Sequence, residues 1–404
     1  MTLAPDEAPT GPRPATMASL LAGRVVYRAA LYGAGLALLA LWGPHEFALY
    51  ATATGATSWL FALTSSGPEK AALALLPRSG AAGLERFFIT VGLVPFIILT
   101  LTAALFALFT PLPIARYAIA AALITGIGTC ALLVALHRLR GQHRADLSCY
   151  LLISLGYGVA VAVVATTGAS YGLVLGLLLG VVLVLVAILL AHLLPLTSRR
   201  PVAPSLRRDA WRATGLLGVG ELLGTAAISV LYAWFAIEDD AHQTSLFYVL
   251  VVFTSSFSVG LLYLLRLIQP QVSRYCERHG ESTAWRLARR ILWILLVTGI
   301  PLTATTAFVA VHVSRGPIVA IVAVALEMAL FGAVAVAVLV LENSGHSGRA
   351  WSATGAAAEF CSVAALGWWL VPHTGAAGAM VAICAGSLVK AAIIVRASPE
   401  ARES

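Results

Sequence analysis

Residues Ser170–Arg212 read SYGLVLGLLLGVVLVLVAILLAHLLPLTSRRPVAPSLRRDAWR. The first part, 170–194, holds no Asp, Glu, Lys or Arg. About 20 apolar residues suffice for a helix to cross a hydrocarbon core roughly 30 Å thick, so this run predicts a membrane span. The second part abruptly supplies Arg199, Arg200, Arg207, Arg208 and Arg212 together with prolines, the signature of a polar linker beside a membrane. Outward from this stretch the pattern repeats. Runs near 19–41, 47–66, 86–109, 114–136 and 147–166 precede it, and runs near 213–236, 245–267, 290–312, 317–341, 352–370 and 374–395 follow. The expected fold is all-α and membrane-integral, with twelve spans.

Composition agrees. The chain is 60% hydrophobic and 11% charged, with mean hydropathy +0.91. Soluble domains approach about a quarter charged. Twelve spans leave no room in 404 residues for a globular catalytic domain. Of the 26 lysines and arginines, 24 lie in or beside alternate gaps, and only Arg116 and Arg315 lie in the others. By the positive-inside rule both termini are expected in the cytoplasm. The net charge of +8 reads as anchoring to anionic lipid and not as a nucleic-acid surface. No Walker motif, phosphate loop or nucleophile elbow is present, and the nine histidines show no metal-ligand spacing. No enzyme activity, cofactor or metal is expected.

Cutting at Pro195–Trp211 leaves two groups of six runs, and landmarks recur in order. Thr167-Gly168-Ala169-Ser170-Tyr171-Gly172 matches Thr374-Gly375-Ala376-Ala377-Gly378. Arg140-Gly141-Gln142-His143-Arg144 matches the Ser344–Arg349 turn, Pro95 matches Pro301, and Phe47–Tyr50 matches Leu246–Tyr248. An even number of spans per copy implies a parallel repeat about an axis along the membrane normal. The expected organisation is a tail over 1–18, an N-lobe over 19–194, a linker over 195–212, a C-lobe over 213–396 and a tail over 397–404. Such a duplication suits lobes that rock around a central cavity.

Several of these landmarks carry a family resemblance. Trp42-Gly-Pro-His-Glu-Phe-Ala-Leu-Tyr50, Ser66-Gly-Pro-Glu-Lys70 through Leu76-Pro-Arg78, Leu267-Ile-Gln-Pro-Gln-Val-Ser-Arg274 and Thr374-Gly-Ala-Ala-Gly-Ala379 resemble polysaccharide and O-antigen flippases. These belong to the multidrug/oligosaccharidyl-lipid/polysaccharide (MOP) flippase superfamily. Phe47-Ala48-Leu49-Tyr50 stands where that branch usually has Phe-Gly-x-Tyr. The resemblance implies spans 1, 2, 7 and 8 around a cavity, and a lipid-linked oligosaccharide as substrate, carried across the inner membrane. It also implies glycan-assembly proteins as possible partners. A cation-coupled drug or metabolite antiporter of the same superfamily, or a non-transporting component of a glycan-assembly complex, are the alternatives.

Charged residues deep in a span cost roughly 2.5–3.5 kcal/mol on insertion scales and call for a reason. Arg24, Arg28, Lys70, Arg78 and Arg266 are the candidate cavity cations, suited to a pyrophosphate stripped of water. Glu221 lies about 13 Å from the basic edge of its span and is the candidate ion-coupling site, able to take a proton on one side and release it on the other. Glu327 and Glu359 are expected to be structural pairs on peripheral spans.

Overall fold

The computed structural model describes residues 14–76, 83–109, 112–197, 202–279, a few positions between 282 and 297, 318–344 and 346–396. All its regular structure among those residues is helical: α1 (Pro14–Ala56), α2 (Trp59–Thr64), α3 (Ser66–Leu75), α4 (Leu84–Phe109), α5 (Leu112–Leu139), α6 (His143–Thr167), α7 (Tyr171–Leu193), a 3-10 turn (Leu194–Leu196), α8 (Pro204–Glu238), α9 (Ala241–His279), α10 (Ile318–Ser344) and α11 (His346–Arg396). Nine helical stretches among the described residues are long and apolar enough to cross a membrane, which makes this a multi-pass membrane protein.

Two of the nine, Ala22–Leu73 and Ser347–Arg396, are far longer than one crossing needs. Each holds a glycine with non-helical dihedrals: Gly43 (φ 74°, ψ 178°) and Gly375 (φ 58°, ψ −136°). A residue with Cβ is strained there, so glycine is what lets the chain fold back. Both breaks fall in or beside expected gaps, 42–46 and 371–373. The expected run 290–312 lies almost wholly outside the described residues, as does Pro301. α4 continues as one helix through Pro95.

Hydrogen bonds between helix ends define two ends of the bundle. At the basic end, Arg138 and Arg140 of the α5 terminus meet Glu69 of α3 and Glu85 of α4. At the opposite end, Trp42 Nε1 donates to Ala169 O at 2.8 Å, and Ser245 Oγ of α9 donates to Pro44 O at 3.2 Å. Three features recur in both sequence halves there. Gly43 and Asp239 each adopt positive φ between consecutive helices, and so do Gly168 and Gly375. Glu46 Oε1 accepts from Tyr171 N, and Gln243 Oε1 accepts from Ala376 N, both at 3.0 Å. In each case a polar side chain near the start of the second helix of a half caps the backbone where its last helix begins.

One element departs from expectation. The second run does not stop near residue 66. It breaks at Thr57-Ser58, resumes as α2, turns at Ser65 and continues as α3 to Leu75. Thr52, Thr54 and Thr57 each donate their hydroxyl to the carbonyl four residues back, which competes with the helix ladder and bends it. Lys70 therefore sits inside a helix and not in a gap. Likewise α8 begins at Pro204, within the expected linker, so Arg207, Arg208 and Arg212 occupy its first turns.

Candidate site at the seam between the halves

The two halves meet where α1, α2 and α3 pack on α8 and α9, and glycine sets how closely. A Cβ on Gly35 would fall 2.0 Å from the Tyr248 hydroxyl, and one on Gly55 would fall 2.2 Å from the Tyr232 ring. Aromatic side chains of the second half thus rest directly on backbone of the first. Phe47 meets the Tyr248 ring edge-on at 4.8 Å, and Ser58 Oγ lies 2.9 Å from Ser229 Oγ. At the basic end the approach is backbone to backbone: a Cβ on Gly218 would fall 2.9 Å from Gly67 Cα.

Beside that glycine contact lies the charge cluster of the seam. Lys70 Nζ is 2.9 Å from Glu221 Oε1 of α8 and 3.7 Å from Glu342 Oε2 of α10. All three side chains are partly accessible, at 22%, 28% and 19%. Neighbouring residues on a helix point about 100° apart, and Glu69 faces the other way. It accepts from Arg138 Nη2 at 2.6 Å; Arg138 Nε lies 3.2 Å from Asp146 Oδ2, and Arg24 Nη2 lies 3.7 Å from the same oxygen. Asp146 is buried, with its side chain 1% accessible. Two consecutive residues thus do different work: Glu69 ties α3 into its own half, and Lys70 reaches across the seam.

The expected cavity cations separate accordingly. Arg24 lies in the Glu69–Arg138–Asp146 network and over the Tyr150 ring at 5.5 Å. Arg28 is half-buried on α1, its guanidinium 5.7 Å over the Tyr27 ring and 3.5 Å from the Tyr32 hydroxyl, with no carboxylate partner among the described residues. Lys70 bridges the halves. Arg266 lies on α9, and Arg78 lies outside the described residues. Glu221 is brought to Lys70. Glu359 Oε2 accepts from Lys390 Nζ at 2.7 Å, a pair joining the two parts of α11. Glu327 is buried, with Oε1 accepting from Ser387 Oγ at 3.1 Å and Oε2 without a hydrogen-bond partner among the described residues.

Glu342 was not singled out from sequence. At the end of a span it resembles an ordinary interfacial residue, and only the fold places it beside Lys70. No three His, Cys, Asp or Glu side chains group to hold a metal among the described residues. Away from the seam, Val202, Pro204, Arg207, Arg208, Trp211 and Arg212 line an open groove of about 520 Å3.

No protein-family model matches the chain, and no curated protein matches its sequence significantly. Solved structures do match its shape. A multidrug resistance MATE family transporter of the MOP superfamily, in an outward-facing conformation, aligns with TM-score 0.57 and 15% identity over 96% of this chain and 95% of that one. A MOP superfamily transporter from Pyrococcus furiosus, described as having a binding pocket of reverse polarity, aligns with TM-score 0.50 and 14% identity over 96% and 93%. The lipid II flippase MurJ, in an inward closed conformation, aligns with TM-score 0.51 and 10% identity over 92% and 87%. At such identities the likeness is one of fold. The chain has the fold of the MOP superfamily.

Proposed function

We propose that this protein is a flippase that moves a lipid-linked oligosaccharide from the cytoplasmic to the outer leaflet of the inner membrane by alternating access. In this reading the chain forms two six-span lobes related by a parallel repeat, with both termini and the basic end in the cytoplasm. The recurring caps Glu46–Tyr171 and Gln243–Ala376 support the repeat, and the distribution of arginine supports the orientation. A MOP-fold neighbour described as a lipid II flippase makes a lipid-linked sugar a substrate class this architecture can carry.

The observation that carries the reading is Arg28. It is a half-buried cation on the helix that packs against α9, stacked on tyrosine and lacking a carboxylate partner among the described residues. A guanidinium in that setting is suited to a phosphate and repels a small organic cation. Arg24, Lys70, Arg78 and Arg266 are assigned to the same substrate path, and Glu221 to ion coupling. The test is reconstitution in vesicles with a fluorescent polyprenyl-pyrophosphate-linked sugar. Flipping is expected, with Arg28→Ala reducing it at least tenfold at equal protein density. Unchanged flipping by Arg28→Ala would remove the residue that carries the reading.

A second reading, a cation-coupled drug antiporter, is favoured by one observation: two carboxylates, Glu221 and Glu342, converge on Lys70 at the seam. Among MOP-fold proteins, MATE transporters are described as multidrug resistance transporters. Proton-driven efflux of a cationic dye, lost in Glu221→Gln and absent for the lipid-linked sugar, would establish it instead.

A further inference from the structure

The Lys70 cluster is a three-body arrangement divided between the halves: one cation on α3, two carboxylates on α8 and α10. Separating the halves at the basic end must break both contacts. The wall of the first half would then display Lys70. The wall of the second would display Glu221 and Glu342, two like charges deprived of their shared counter-ion. An anion entering the cleft would then meet the Lys70 ammonium released from both carboxylates.

We propose that the Lys70 ammonium has two mutually exclusive partners: the Glu221–Glu342 carboxylates, which hold the halves together at the basic end, and a phosphate group of the substrate, which replaces them. Substrate binding and separation of the halves at this end are then one event. The inference rests on the reading of the substrate as a pyrophosphate-bearing lipid. It adds a role for Glu342 and makes the carboxylates competitors of the substrate.

Three facts support exchange at this position over a fixed structural pair. The cluster is partly accessible, at 22%, 28% and 19%, so an incoming anion can reach it. In contrast, the ion pairs of Asp146, buried at 1%, stay within one half and need not break. Lys70 is also an ammonium on a flexible stem, which can turn from one acceptor to another without the fixed fork geometry of arginine. Finally, a ligand shifts an equilibrium only through its different affinity for the two states. Competition for one ammonium supplies that difference directly.

The test uses full-length protein in nanodiscs, with spin labels at Leu139 and Arg208, exposed positions at the basic end of opposite halves. Farnesyl pyrophosphate is the probe, and its binding is measured separately by calorimetry. In wild type it is expected to widen the label distance. Lys70→Gln should be widened before the probe is added, by about fivefold in population, the upper range for a partly exposed pair, and should gain nothing from the probe. The charge-reversed pair Lys70→Glu with Glu221→Lys should recover the narrow distance and stay insensitive. Glu221→Gln should bind the probe about fivefold more tightly, because the competent state is more populated, an effect a purely structural residue would not give. Probe binding with an unchanged distance in wild type, or Lys70→Gln responding as wild type does, overturns the exchange while leaving the flippase reading standing. Absence of probe binding to wild type overturns the substrate reading and the exchange with it.

Discussion

Gly67 meets backbone of the opposite half across the seam, and Gly67→Ala tests whether the seam opens. A Cβ there would stand 2.4 Å from Thr214 O and 3.2 Å from Gly218 Cα, where real Cβ atoms keep beyond 3.0 Å. The nearest atom is backbone within α8, so no side chain can rotate away. The helices must part by at least about 0.6 Å, the difference between 3.0 and 2.4 Å. Overpacking of this kind costs about 1–3 kcal/mol. If the contact exists only while the basic end is closed, that whole cost falls on the closed state and shifts the closed-to-open ratio about 5- to 150-fold. Spin labels at Leu139 and Arg208 read the shift as a new population at longer distance. Gly33→Ala is the control, since a Cβ there meets nothing within 4 Å. If Gly67→Ala folds with wild-type thermal stability and gives the same distance distribution as Gly33→Ala, α3 and α8 do not separate, and the seam is a fixed interface.

Further outcomes follow from the same geometry. Arg138→Ala leaves the buried Asp146 to Arg24, 3.7 Å away, and is expected to lose about 3 kcal/mol of unfolding free energy in mixed micelles; a loss under about 0.5 kcal/mol would show that the network does not hold α3, α5 and α6 together. Glu46→Ala and Gln243→Ala each remove a cap from the start of a helix at equivalent positions of the two halves. Each should cost about 1 kcal/mol in the same assay, and a cost confined to one of them would count against a structural repeat. Glu327→Gln keeps an acceptor for Ser387 and puts a neutral amide of nearly the same shape in a buried site, so stability should hold within about 1 kcal/mol; a larger loss would reveal an ionic partner for the carboxylate.

Much of this architecture was legible because the forces that create it act locally along the chain. Apolar length marks Tyr171–Leu193 as a span whatever surrounds it. Gly168 and Gly375 mark turns because positive φ excludes most other residues. The bend through Thr57 was less legible. Hydroxyl back-bonding by Thr52, Thr54 and Thr57 leaves hydropathy unchanged, so the second run looked complete near residue 66 while the helix continued to Leu75. That one displacement moved Lys70 from an apparent loop to the seam.

The candidate site shows the boundary between residue and pair. Glu221 stood out in sequence because a carboxylate deep in an apolar helix demands a reason, and Lys70 stood out as a cation beside a family landmark. Nothing in either local sequence joins them, since 151 positions separate them and their contact depends on two glycines, Gly67 and Gly218, that let α3 and α8 touch. Hydropathy assigns each charge a cost, but only packing assigns it a counter-ion. If the halves separate during transport, as proposed above, the distinction matters further. A charge paired within one half, such as Glu69 with Arg138, lowers the energy of every state alike. A charge paired across the seam, such as Lys70 with Glu221, lowers the energy of the closed state only. Of the two kinds of pair, only the second ties exchange for a substrate to separation of the halves, so residues that couple binding to movement should be sought among ion pairs that cross the seam, whatever their depth in a span.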